Sequence, residues 1–346
     1  MGDVDEEQEV KMKSIVVFNN KGGVGKTTFL CNLAAFLALN RGKRVLVVDA
    51  DPQSNATTYS VPETTVNELY AKQRRQTIDA FLDPLRRGKG YLSGDFECLA
   101  SPRFGFDLIP GDPSLALSED LLAEDWTSGT SGNPRGLQTT LVFRDILNRF
   151  ADYDFIFFDV GPSLGAINRS VLIASDFFIM PMSSDIFSIL AINNMSQALQ
   201  KWKRGLEKDL AYYMAEEKTP YVLGSTEIGW RLQFAGYVTQ QYTAKRVRGI
   251  RQPVSAYEKI INHAPIAIQE HLVTLFSSLP LETDYRLGDI PNLHSVVPLS
   301  QTAHCPIFML KAADGVVGAH FAKVKDTELI YEGIAMRVLQ NVGDSA

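Results

Sequence analysis

Short runs of apolar residues alternate along this chain with longer segments in which apolar residues recur at helical spacing. The first run, Ser14 to Phe18, ends at a glycine-rich turn, and a Leu- and Ala-rich segment from Thr27 to Leu39 follows it. A second apolar run extends from Arg44 to Val48. Strands buried in a parallel sheet have this composition, so the order strand, helix, strand predicts a right-handed βαβ unit.

The same alternation continues through the rest of the chain. The segments Gln138 to Phe150 and Ile186 to Leu199 have the spacing of helices. Apolar runs that predict further strands are Phe106 to Ile109, Phe155 to Phe158, Phe177 to Pro181, Phe234 to Val238 and Ser295 to Val297. We therefore predict an α/β fold with a doubly wound, mainly parallel sheet and helices on both faces.

The sequence predicts one domain over residues 14–346, because no linker divides this region and no internal repeat occurs in it. Residues 1–13 are polar and acidic and predict a disordered lead-in, since they offer little apolar surface to offset the cost of ordering. Residues 124–136 have the composition of an exposed loop. We expect residues around 203–230 and 252–292 to be mostly helical.

The composition excludes several classes of protein. Hydrophobic residues make up 45% of the chain and charged residues 21%, which is typical of a globular protein with a large core. The longest apolar stretches are far shorter than the roughly 20 residues that cross a bilayer, and no secretion signal is seen. The three cysteines and five histidines lack the spacing of disulfide frameworks or zinc sites. We expect a soluble protein of the reducing cytoplasm.

A glycine-rich loop lies between the first predicted strand and helix, in the segment Lys21-Gly22-Gly23-Val24-Gly25-Lys26-Thr27-Thr28. Glycines let successive backbone N–H groups point at one position, and the helix N-terminus adds partial positive charge there, so a polyphosphate is the expected ligand. We predict that Lys26 contacts the β and γ phosphates of ATP, that Thr27 offers its hydroxyl to Mg²⁺, and that Thr28 bonds the α phosphate. The alternative is a glycine-rich turn with a solvent-facing lysine.

Carboxylates follow two of the predicted strands. Asp49 comes directly after Val48, Asp51 lies two residues further on, and Asp159 comes directly after Phe158. Ligands of open α/β sheets bind beyond the carboxyl ends of the strands, so these acids should converge on the glycine-rich loop and on its metal. Turn formation or helix capping is the alternative for each of them.

At these residues the chain resembles the ParA/MinD-type ATPases with the deviant Walker A motif, and it is most similar to the ParA (Soj-like) partition proteins. The loop has Asn20 where the usual Walker A pattern has glycine, and it carries the additional Lys21. The segments that support the resemblance are Lys21 to Thr28, Val45 to Thr57, Leu108 to Leu122, Tyr153 to Ser163 and Ala174 to Asp185, with weaker similarity in Gly236 to Gln241 and Ser295 to Pro306.

The resemblance implies an ATP-dependent sandwich dimer in which Lys21 reaches the nucleotide of the partner subunit. It implies that Asp51 positions or polarises the hydrolytic water, that Asp159 contacts Mg²⁺ through water, and that Asp49 supports the metal site. The residues expected to bind the nucleotide are Gly22, Gly23, Val24, Gly25, Lys26, Thr27 and Thr28, with Thr239 and Pro298 on the adenine side.

Two departures from the family pattern affect the expectations. Asp159 is followed by Val160-Gly161-Pro162, where the family usually has two prolines, so the switch loop should differ while its acid remains. The chain is also longer than minimal family members between residues 203 and 292. That insertion could contact a partner protein.

Partition ATPases of this kind bind DNA without sequence preference as dimers, so local basic clusters become relevant although the formal net charge is −6. The expected DNA contacts are Lys245, Arg246, Arg248 and Arg251, which have no acid among them. Lys201, Lys203 and Arg204 form a second basic cluster around Trp202, and a solvated surface is the alternative for both clusters. The tail from Thr327 to Val342 has an apolar stripe with one basic residue, which favours packing on the core over membrane binding.

The leading hypothesis is a Mg²⁺-dependent ATPase switch that forms a homodimer on ATP, binds DNA non-specifically and acts in plasmid or chromosome partition or positioning. A ParB-like protein or a cargo adaptor would stimulate its hydrolysis, and its location would be cytoplasmic, with nucleoid association. The alternative is an ATP-gated assembly or positioning factor for a protein cargo, including defence or secretion machinery, without DNA binding.

Overall fold

The computed structural model describes residues 12–72, 75–129, 133–183, 185–242, 244–247, 250–253, 263–280 and 282–344. Most of the predicted lead-in therefore lies outside the described residues. Met12 and Lys13 belong to the folded part, because the first strand begins at Lys13 and its backbone N–H donates to the carbonyl of Asp154 at 3.0 Å. The predicted boundary after residue 13 was thus slightly too late.

The centre of the described structure is a sheet with the strand order β12-β9-β6-β1-β5-β2-β4-β3. Every neighbouring pair in it is parallel except β3 with β4 at one edge. Two small antiparallel pairs, β7 with β8 and β10 with β11, lie outside this sheet. The strands are β1 Lys13–Val17, β2 Val45–Asp49, β3 Leu99–Ser101, β4 Phe106–Ile109, β5 Phe155–Asp159, β6 Phe177–Ser183, β7 Val222–Leu223, β8 Thr226–Glu227, β9 Gln233–Tyr242, β10 Ala244–Val247, β11 Ile250–Pro253 and β12 Arg286–Pro291.

Helices cover both faces of the sheet, as the alternating pattern predicts. They are α1 Lys26–Arg41, α2 Asn55–Ser60, α3 Glu63–Ala71, α4 Asp79–Arg86, α5 Glu119–Gly129, α6 Pro134–Thr140, α7 Val142–Arg149, α8 Ala166–Ala174, α9 Ile186–Glu217, α10 Val296–Ala303 and α11 His320–Asn341. Shorter helical turns occur at Pro113–Ser118, Gln269–Val273, Thr274–Phe276, Ile307–Met309 and Ala312–Asp314. The predicted doubly wound, mainly parallel α/β fold is confirmed.

The sheet is buried on both faces because its central strands consist mainly of apolar residues. In β1, Ile15 and Val17 belong to one hydrophobic cluster and Val16 belongs to the other, which is the alternation of a strand between two helical layers. Each fully buried residue of this size contributes roughly 1.5–3 kcal/mol through loss of apolar surface from water. The tail prediction also holds, since Ile334 and Val338 of α11 are buried in the cluster that contains α1.

Three sequence-based assignments were wrong. Ser295–Val297 was predicted as a strand, but Val296 begins α10, whose apolar face is too short for periodicity to distinguish the two structures. Residues 124–129 were predicted as loop and instead continue α5, because their buried Asp125 and Gly129 pack against α6. The single helix predicted from Gln138 to Phe150 is divided at Leu141 into α6 and α7.

The two insertions are only partly helical. Helix α9 extends to Glu217, far beyond the predicted Leu199, and the β7–β8 pair follows it. In the second insertion helical turns within residues 263–276 precede the strand β12, which pairs in parallel with β9. None of the described helices is long and apolar enough to cross a membrane.

Candidate nucleotide-binding site

The glycine-rich loop joins the carboxyl end of β1 to the first turn of α1. Gly23 and Gly25 have φ angles of +73° and +77°, in the left-handed region that side chains disfavour. Gly25 is the N-cap residue of α1, and no side chain caps this helix end. The unpaired N–H groups of the first helical turn therefore face the loop, which is the arrangement that binds phosphate.

Gly25 also lacks room for a side chain. A Cβ atom built on Gly25 would overlap the Oε1 atom of Gln240, whose Nε2 group donates to the Gly25 carbonyl at 3.5 Å. Gln240 lies near the carboxyl end of β9 and is 5% exposed. The loop is thus held from the sheet side by a residue that the sequence pattern did not identify.

Lys26, Thr27 and Asp159 form the polar centre of the site. Thr27 donates its hydroxyl to Asp159 Oδ2 at 2.7 Å, and Lys26 Nζ donates to the Lys21 carbonyl at 3.4 Å. Burial lowers the pKa of Lys26, while the nearby carboxylates of Asp159 and Asp51 oppose that shift. Burial, and then the proximity of Asp49, raises the pKa of Asp159 well above its usual range. A cation at this place would stabilise the charged carboxylate.

The oxygen atoms of Asp159 and Thr27 could bind a magnesium ion that a nucleotide also coordinates. The Oδ1 atom of Asp159 is buried and has no hydrogen-bond partner, and the Thr27 hydroxyl lies beside the same carboxylate. Among the described residues no group of three or more His, Cys, Asp or Glu side chains forms a metal cage. Mg²⁺ commonly needs only one or two protein oxygens when phosphates and water supply the other ligands. Asp159 and Thr27 are the residues that could hold it.

Asp49 is directed towards a neighbouring loop. Its Oδ2 atom accepts the Thr57 N–H at 2.8 Å and the Thr57 hydroxyl at 2.7 Å, and the same hydroxyl accepts the Gly111 N–H at 2.8 Å. Burial raises the pKa of Asp49 to about 7, although the bonds from Thr57 lower it. Asp49 therefore joins β2 to α2 and to the loop after β4. Its α-carbon pairs in register with that of Asp159 on the adjacent strand.

Asp51 lies at the wall of the cavity, next to the loop that follows β5. Its Oδ1 atom accepts the Gln53 N–H at 3.0 Å. A Cβ atom added to Gly161 would lie 3.4 Å from the same oxygen, so the Val160–Gly165 segment packs directly on this carboxylate. Asp51 is 8% exposed, which leaves a small part of its carboxylate accessible from the cavity.

Two side chains fix residues 160–165, the segment that was expected from the resemblance to be the switch loop. Asn168 donates its Nδ2 group to the carbonyls of Gly161 at 2.8 Å and Ser163 at 2.7 Å. Glu119 of α5 accepts the N–H groups of Ala166 and Ile167 at 2.5 and 3.1 Å, which caps the N-terminus of α8 with a carboxylate from another helix. The sequence pattern revealed neither contact. Glu119 lies 47 positions before Ala166 and reaches it through the tertiary fold, whereas Asn168 bonds to carbonyls only seven and five positions before it.

The additional lysine of the loop is paired within its own chain. Lys21 Nζ donates to the Asp185 carboxylate and to the Ser183 hydroxyl, the latter at 2.9 Å. Ser183 ends β6, and Asp185 immediately precedes α9. Burial would raise the pKa of Asp185, but the hydrogen bonds from Lys21 and Ser183 lower it overall. Lys21 thus contacts the turn between β6 and α9.

A cavity of about 480 Å³ opens beside the phosphate loop, a size within the range of small-ligand sites. The residues that line it are Gly23, Val24, Gly25, Lys26, Thr27, Thr28, Asp51, Gln53, Asn55, Thr58, Tyr59, Val160, Pro162 and Gln301. The structure thus brings the predicted loop and Asp51 together. Gln53, Asn55, Thr58, Tyr59 and Gln301 were not predicted, although Gln53 and Asn55 lie within the segment Val45 to Thr57 that carries the family resemblance, and Thr58 and Tyr59 follow it directly.

The predicted adenine-side residues lie near this cavity but do not line it. Thr239 is 8% exposed and pairs in register with Met182 and Asp289 within the sheet. Pro298 is exposed in α10, one helical turn before Gln301, which does line the cavity. The incorrect strand assignment for Ser295–Val297 concealed this spacing.

A buried hydrogen-bond network connects the cavity wall to α10. The Tyr59 hydroxyl lies 2.6 Å from Ser300 Oγ and accepts from Asn32 Nδ2 at 3.0 Å. Asn32 also donates to the Thr28 carbonyl at 2.8 Å and accepts the Ile307 N–H at 2.7 Å. The network therefore ties the first turns of α1 to α2 and to the segment that contains Gln301.

Three of the four predicted DNA-contacting residues, Lys245, Arg246 and Arg251, lie on the β10–β11 pair. Lys245 and Gln252, and Arg246 and Arg251, are partners in its register. Arg248 lies outside the described residues.

The chain is similar to proteins of a known family. A family model described as AAA domain matches residues 12–212. The chromosome-partitioning ATPase Soj of Thermus thermophilus is 29% identical over 267 residues, which cover 75% of this chain and 92% of Soj. The chromosome partitioning protein ParA of Myxococcus xanthus is 29% identical over 208 residues, which cover 57% of this chain and 61% of that protein.

Solved structures have the same fold over nearly the whole chain. Protein DIP2308 of Corynebacterium diphtheriae superposes with a TM-score of 0.73 at 28% identity, covering 96% of this chain and 99% of its own. The ATP complex of Cyanothece McdA superposes with a TM-score of 0.61 at 15% identity, covering 97% and 98%. With the glycine-rich loop, its additional lysine and the three strand-end carboxylates in place, the chain belongs to the AAA domain family and, within it, to the ParA/MinD-type P-loop ATPases with the deviant Walker A motif.

Proposed function

We propose that this protein is a magnesium-dependent ATPase that dimerises on ATP and acts as a ParA-type switch in DNA partition or positioning. The observation that carries the proposal is the grouping of Lys26, Thr27, Asp159 and Asp51 around the phosphate loop. Its similarity to Soj and ParA partition proteins supports the same class.

In the proposed reaction the phosphate loop and the neighbouring Asp51 have separate roles. The N–H groups of the first α1 turn and Lys26 bind and neutralise the phosphates. Magnesium, when bound with the nucleotide, stabilises negative charge on the phosphate oxygens. Asp51 orients a water molecule and accepts its proton, since its carboxylate borders the cavity and is held by the Gln53 N–H. Lys21 of each subunit contacts the nucleotide of the other.

DNA binding in this proposal depends on the dimer. Two subunits would double the number of cations that contact phosphate, and release of counterions would supply the affinity. If Lys245, Arg246, Arg248 and Arg251 of both subunits contact phosphates, the logarithm of the binding constant should fall with the logarithm of salt with a slope on the order of −7. A dimer that ignores DNA would indicate the alternative, an assembly or positioning factor for a protein cargo.

The test is sedimentation of the Asp51→Ala protein with ATP and Mg²⁺, with and without random-sequence duplex DNA, at low and high salt. We expect a stable ATP-dependent dimer that co-sediments with DNA at low salt and releases it at high salt. Lys26→Ala, which removes the main phosphate contact, is the control that should stay monomeric. Hydrolysis by Asp51→Ala at the parental rate would remove Asp51 from the catalytic role.

A second comparison isolates the role of Lys21. Lys21→Ala should bind ATP nearly as well as the parent while it loses dimer-linked hydrolysis, whereas Lys26→Ala should lose both. Equal loss of ATP binding in the two variants would show that Lys21 serves its own nucleotide and would contradict the sandwich arrangement.

A further inference from the structure

A second cleft lies at the amino-terminal ends of the strands, whereas the nucleotide cavity lies at their carboxyl-terminal ends. It has a volume of about 590 Å³, and the first residues of three adjacent strands line it: Lys13 of β1, Phe177 of β6 and Gln233 of β9. The nucleotide cavity is bordered by the carboxyl ends of strands, so the two sites are separated by the length of the sheet. We call this second site the amino-edge cleft.

Three cations line the amino-edge cleft without a carboxylate to neutralise them. Lys13, Lys203 and Arg231 form no ion pair with any residue that the structure describes. Arg231 donates only to the backbone carbonyl of Glu227, at 2.9 Å. The cleft therefore presents an excess of positive charge.

Asp176 is the one acid among the described residues that line the cleft, and it is already engaged. Asp176 accepts the Ser14 hydroxyl at 2.6 Å and the Ser14 N–H at 3.2 Å, and its carboxylate lies 3.8 Å from the buried guanidinium of Arg144. Burial lowers the pKa of Arg144, the charge of Asp176 opposes that shift, and the charge of Arg231 adds to it. Asp176 is thus used by Arg144 and Ser14, which leaves the three lining cations to attract another anion.

The wall of the cleft is apolar and fixed. The rings of Trp230 and Phe276 lie 6.4 Å apart, and Leu275 is 41% exposed. Ser278 donates its hydroxyl to Gln233 Oε1 at 2.8 Å, which ties this wall to β9. A ligand of this cleft should combine carboxylates with small apolar groups and should enter a concave space, which fits an acidic peptide better than the convex backbone of a duplex.

The chain itself supplies such a peptide next to the cleft. Residues 1–11 contain Asp3, Asp5, Glu6, Glu7 and Glu9 against the single cation Lys11, together with Val4 and Val10. They join directly to Met12, which lines the cleft. An extended chain of this length reaches at most about 35–40 Å, which is ample for the cleft, and a short tether gives an effective concentration in the millimolar range. We propose that residues 1–11 bind in the amino-edge cleft, with their carboxylates on Lys13, Lys203 and Arg231.

This docking would not interfere with ATP, because the nucleotide cavity is at the other edge of the sheet. It would place carboxylates on Lys203 and so withdraw this one lysine of the basic cluster around Trp202 from contact with nucleic acid. The acidic segment would also exclude any other acidic ligand from the cleft. Its neutralisation would open the site.

The test uses the full chain with its first residues neutralised by Asp3→Asn, Asp5→Asn, Glu6→Gln, Glu7→Gln and Glu9→Gln. A fluorescent peptide of residues 1–11 is titrated at low salt, and its anisotropy is measured. The peptide should bind the neutralised protein at least about tenfold more tightly than the parent, whose own segment competes at high effective concentration. A peptide with the same five neutral substitutions should not bind.

Matched variants locate the contact. In the neutralised protein, Lys203→Glu with Arg231→Glu should weaken peptide binding by about tenfold or more, while Lys201→Glu, an exposed neighbour on α9 outside the cleft, should change it little. A peptide with its five acids replaced by lysine should bind the double variant again. Thermal unfolding and ATP binding check that each variant folds, and Lys203→Gln with Arg231→Gln replaces the double variant if it does not.

Three results would overturn the proposal. One is the absence of peptide binding to the neutralised protein. Another is equal binding to parent and neutralised proteins, which would mean that the tethered segment does not occupy the cleft. The third is that a short duplex oligonucleotide binds, that this binding depends on Lys203 and Arg231, and that the peptide does not bind. This result would make the cleft a nucleic-acid surface.

Discussion

Lys21 of the phosphate loop is held by Asp185 of its own chain, at the start of α9. The ammonium group also donates to Ser183 Oγ at 2.9 Å, and Ser183 in turn donates to Asp185 Oδ2 at 2.7 Å. A lysine that contacts the nucleotide of a partner subunit would have to leave these acceptors. The contact therefore links the state of the phosphate loop to the turn between β6 and α9.

Replacing Asp185 by Asn should favour the dimer. The Lys21 and Asp185 side chains are 29% and 35% exposed, so the charge pair contributes at most about 1 kcal/mol, and its loss should tighten ATP-dependent dimerisation by about two- to fivefold. Asn can still cap the Ser188 N–H, which Asp185 accepts at 3.2 Å. Sedimentation equilibrium with ATP measures the effect. Asp344→Asn, which breaks the distant Lys43 pair, is the control, and an unchanged or weaker dimer would contradict the prediction.

Gly25→Ala should destabilise the protein more than Gly42→Ala. Both glycines have positive φ angles, +77° and +64°, so both substitutions carry backbone strain of roughly 1 kcal/mol. Only the Cβ atom at position 25 would meet another group, the Gln240 side chain. Urea unfolding should show the additional loss for Gly25→Ala, and adding Gln240→Ala should recover it. Equal losses of stability for the two glycine variants would show that Gln240 does not restrict the side chain at position 25.

Glu119→Gln should lower kcat with little effect on KM. The substitution removes a negative charge from the N-terminus of α8, which costs about 0.3–1 kcal/mol, and loosens the switch loop that packs on Asp51. The phosphate contacts are untouched. Steady-state ATP hydrolysis measures the split, and Glu124→Gln on the exposed face of α5 is the matched control. A rise in KM at constant kcat would place Glu119 in nucleotide binding instead.

Asp209→Asn should stabilise the protein at pH 8 but not at pH 4. Burial raises the pKa of Asp209 to about 6, and the charge of Lys208 opposes that shift. A raised folded-state pKa means that the folded protein holds the proton more tightly, so the contribution of this group to stability is complete below about pH 4 and is lost as the pH rises to about 6. Asn is neutral throughout. The stability difference should therefore grow over this interval, to no more than about 3 kcal/mol.

Chemical denaturation of both proteins at several pH values checks this result. Glu207→Gln, an exposed position on the same helix, should show no such pH dependence. A constant difference between Asp209→Asn and its parent from pH 4 to pH 8 would mean that Asp209 titrates normally.

The phosphate loop and its carboxylates were predictable because each depends on local sequence. When an apolar strand ends in Asp, the carboxylate lies at the carboxyl end of the sheet. When a glycine run joins a strand to a helix, its backbone N–H groups lie at the N-terminus of that helix. The same reasoning failed for α10, since eight residues with a short apolar face fit a strand as well as a helix. Gln301 was missed for that reason.

Contacts between distant segments were beyond the reach of sequence patterns. Gln240 reaches Gly25 across 215 positions, and Glu119 caps α8 across 47. No periodicity or motif records such a pair, because its geometry is set by the packing of whole elements. The prediction that Asp49 supports the metal site leaves open how it does so. The structure shows that Asp49 is connected with the Gly111 loop through the Thr57 hydroxyl, which donates to Asp49 and accepts the Gly111 N–H.

The amino-acid sequence by itself determined the alternation of strands and helices, the phosphate loop and the acids at the strand ends, since local periodicity and turn chemistry specify them. The tertiary structure decided which side chains hold that loop, where Lys21 is directed, and that three cations gather at the amino edge of the sheet. Those features depend on which strands become neighbours, and burial of the sheet between two helical layers selects that order.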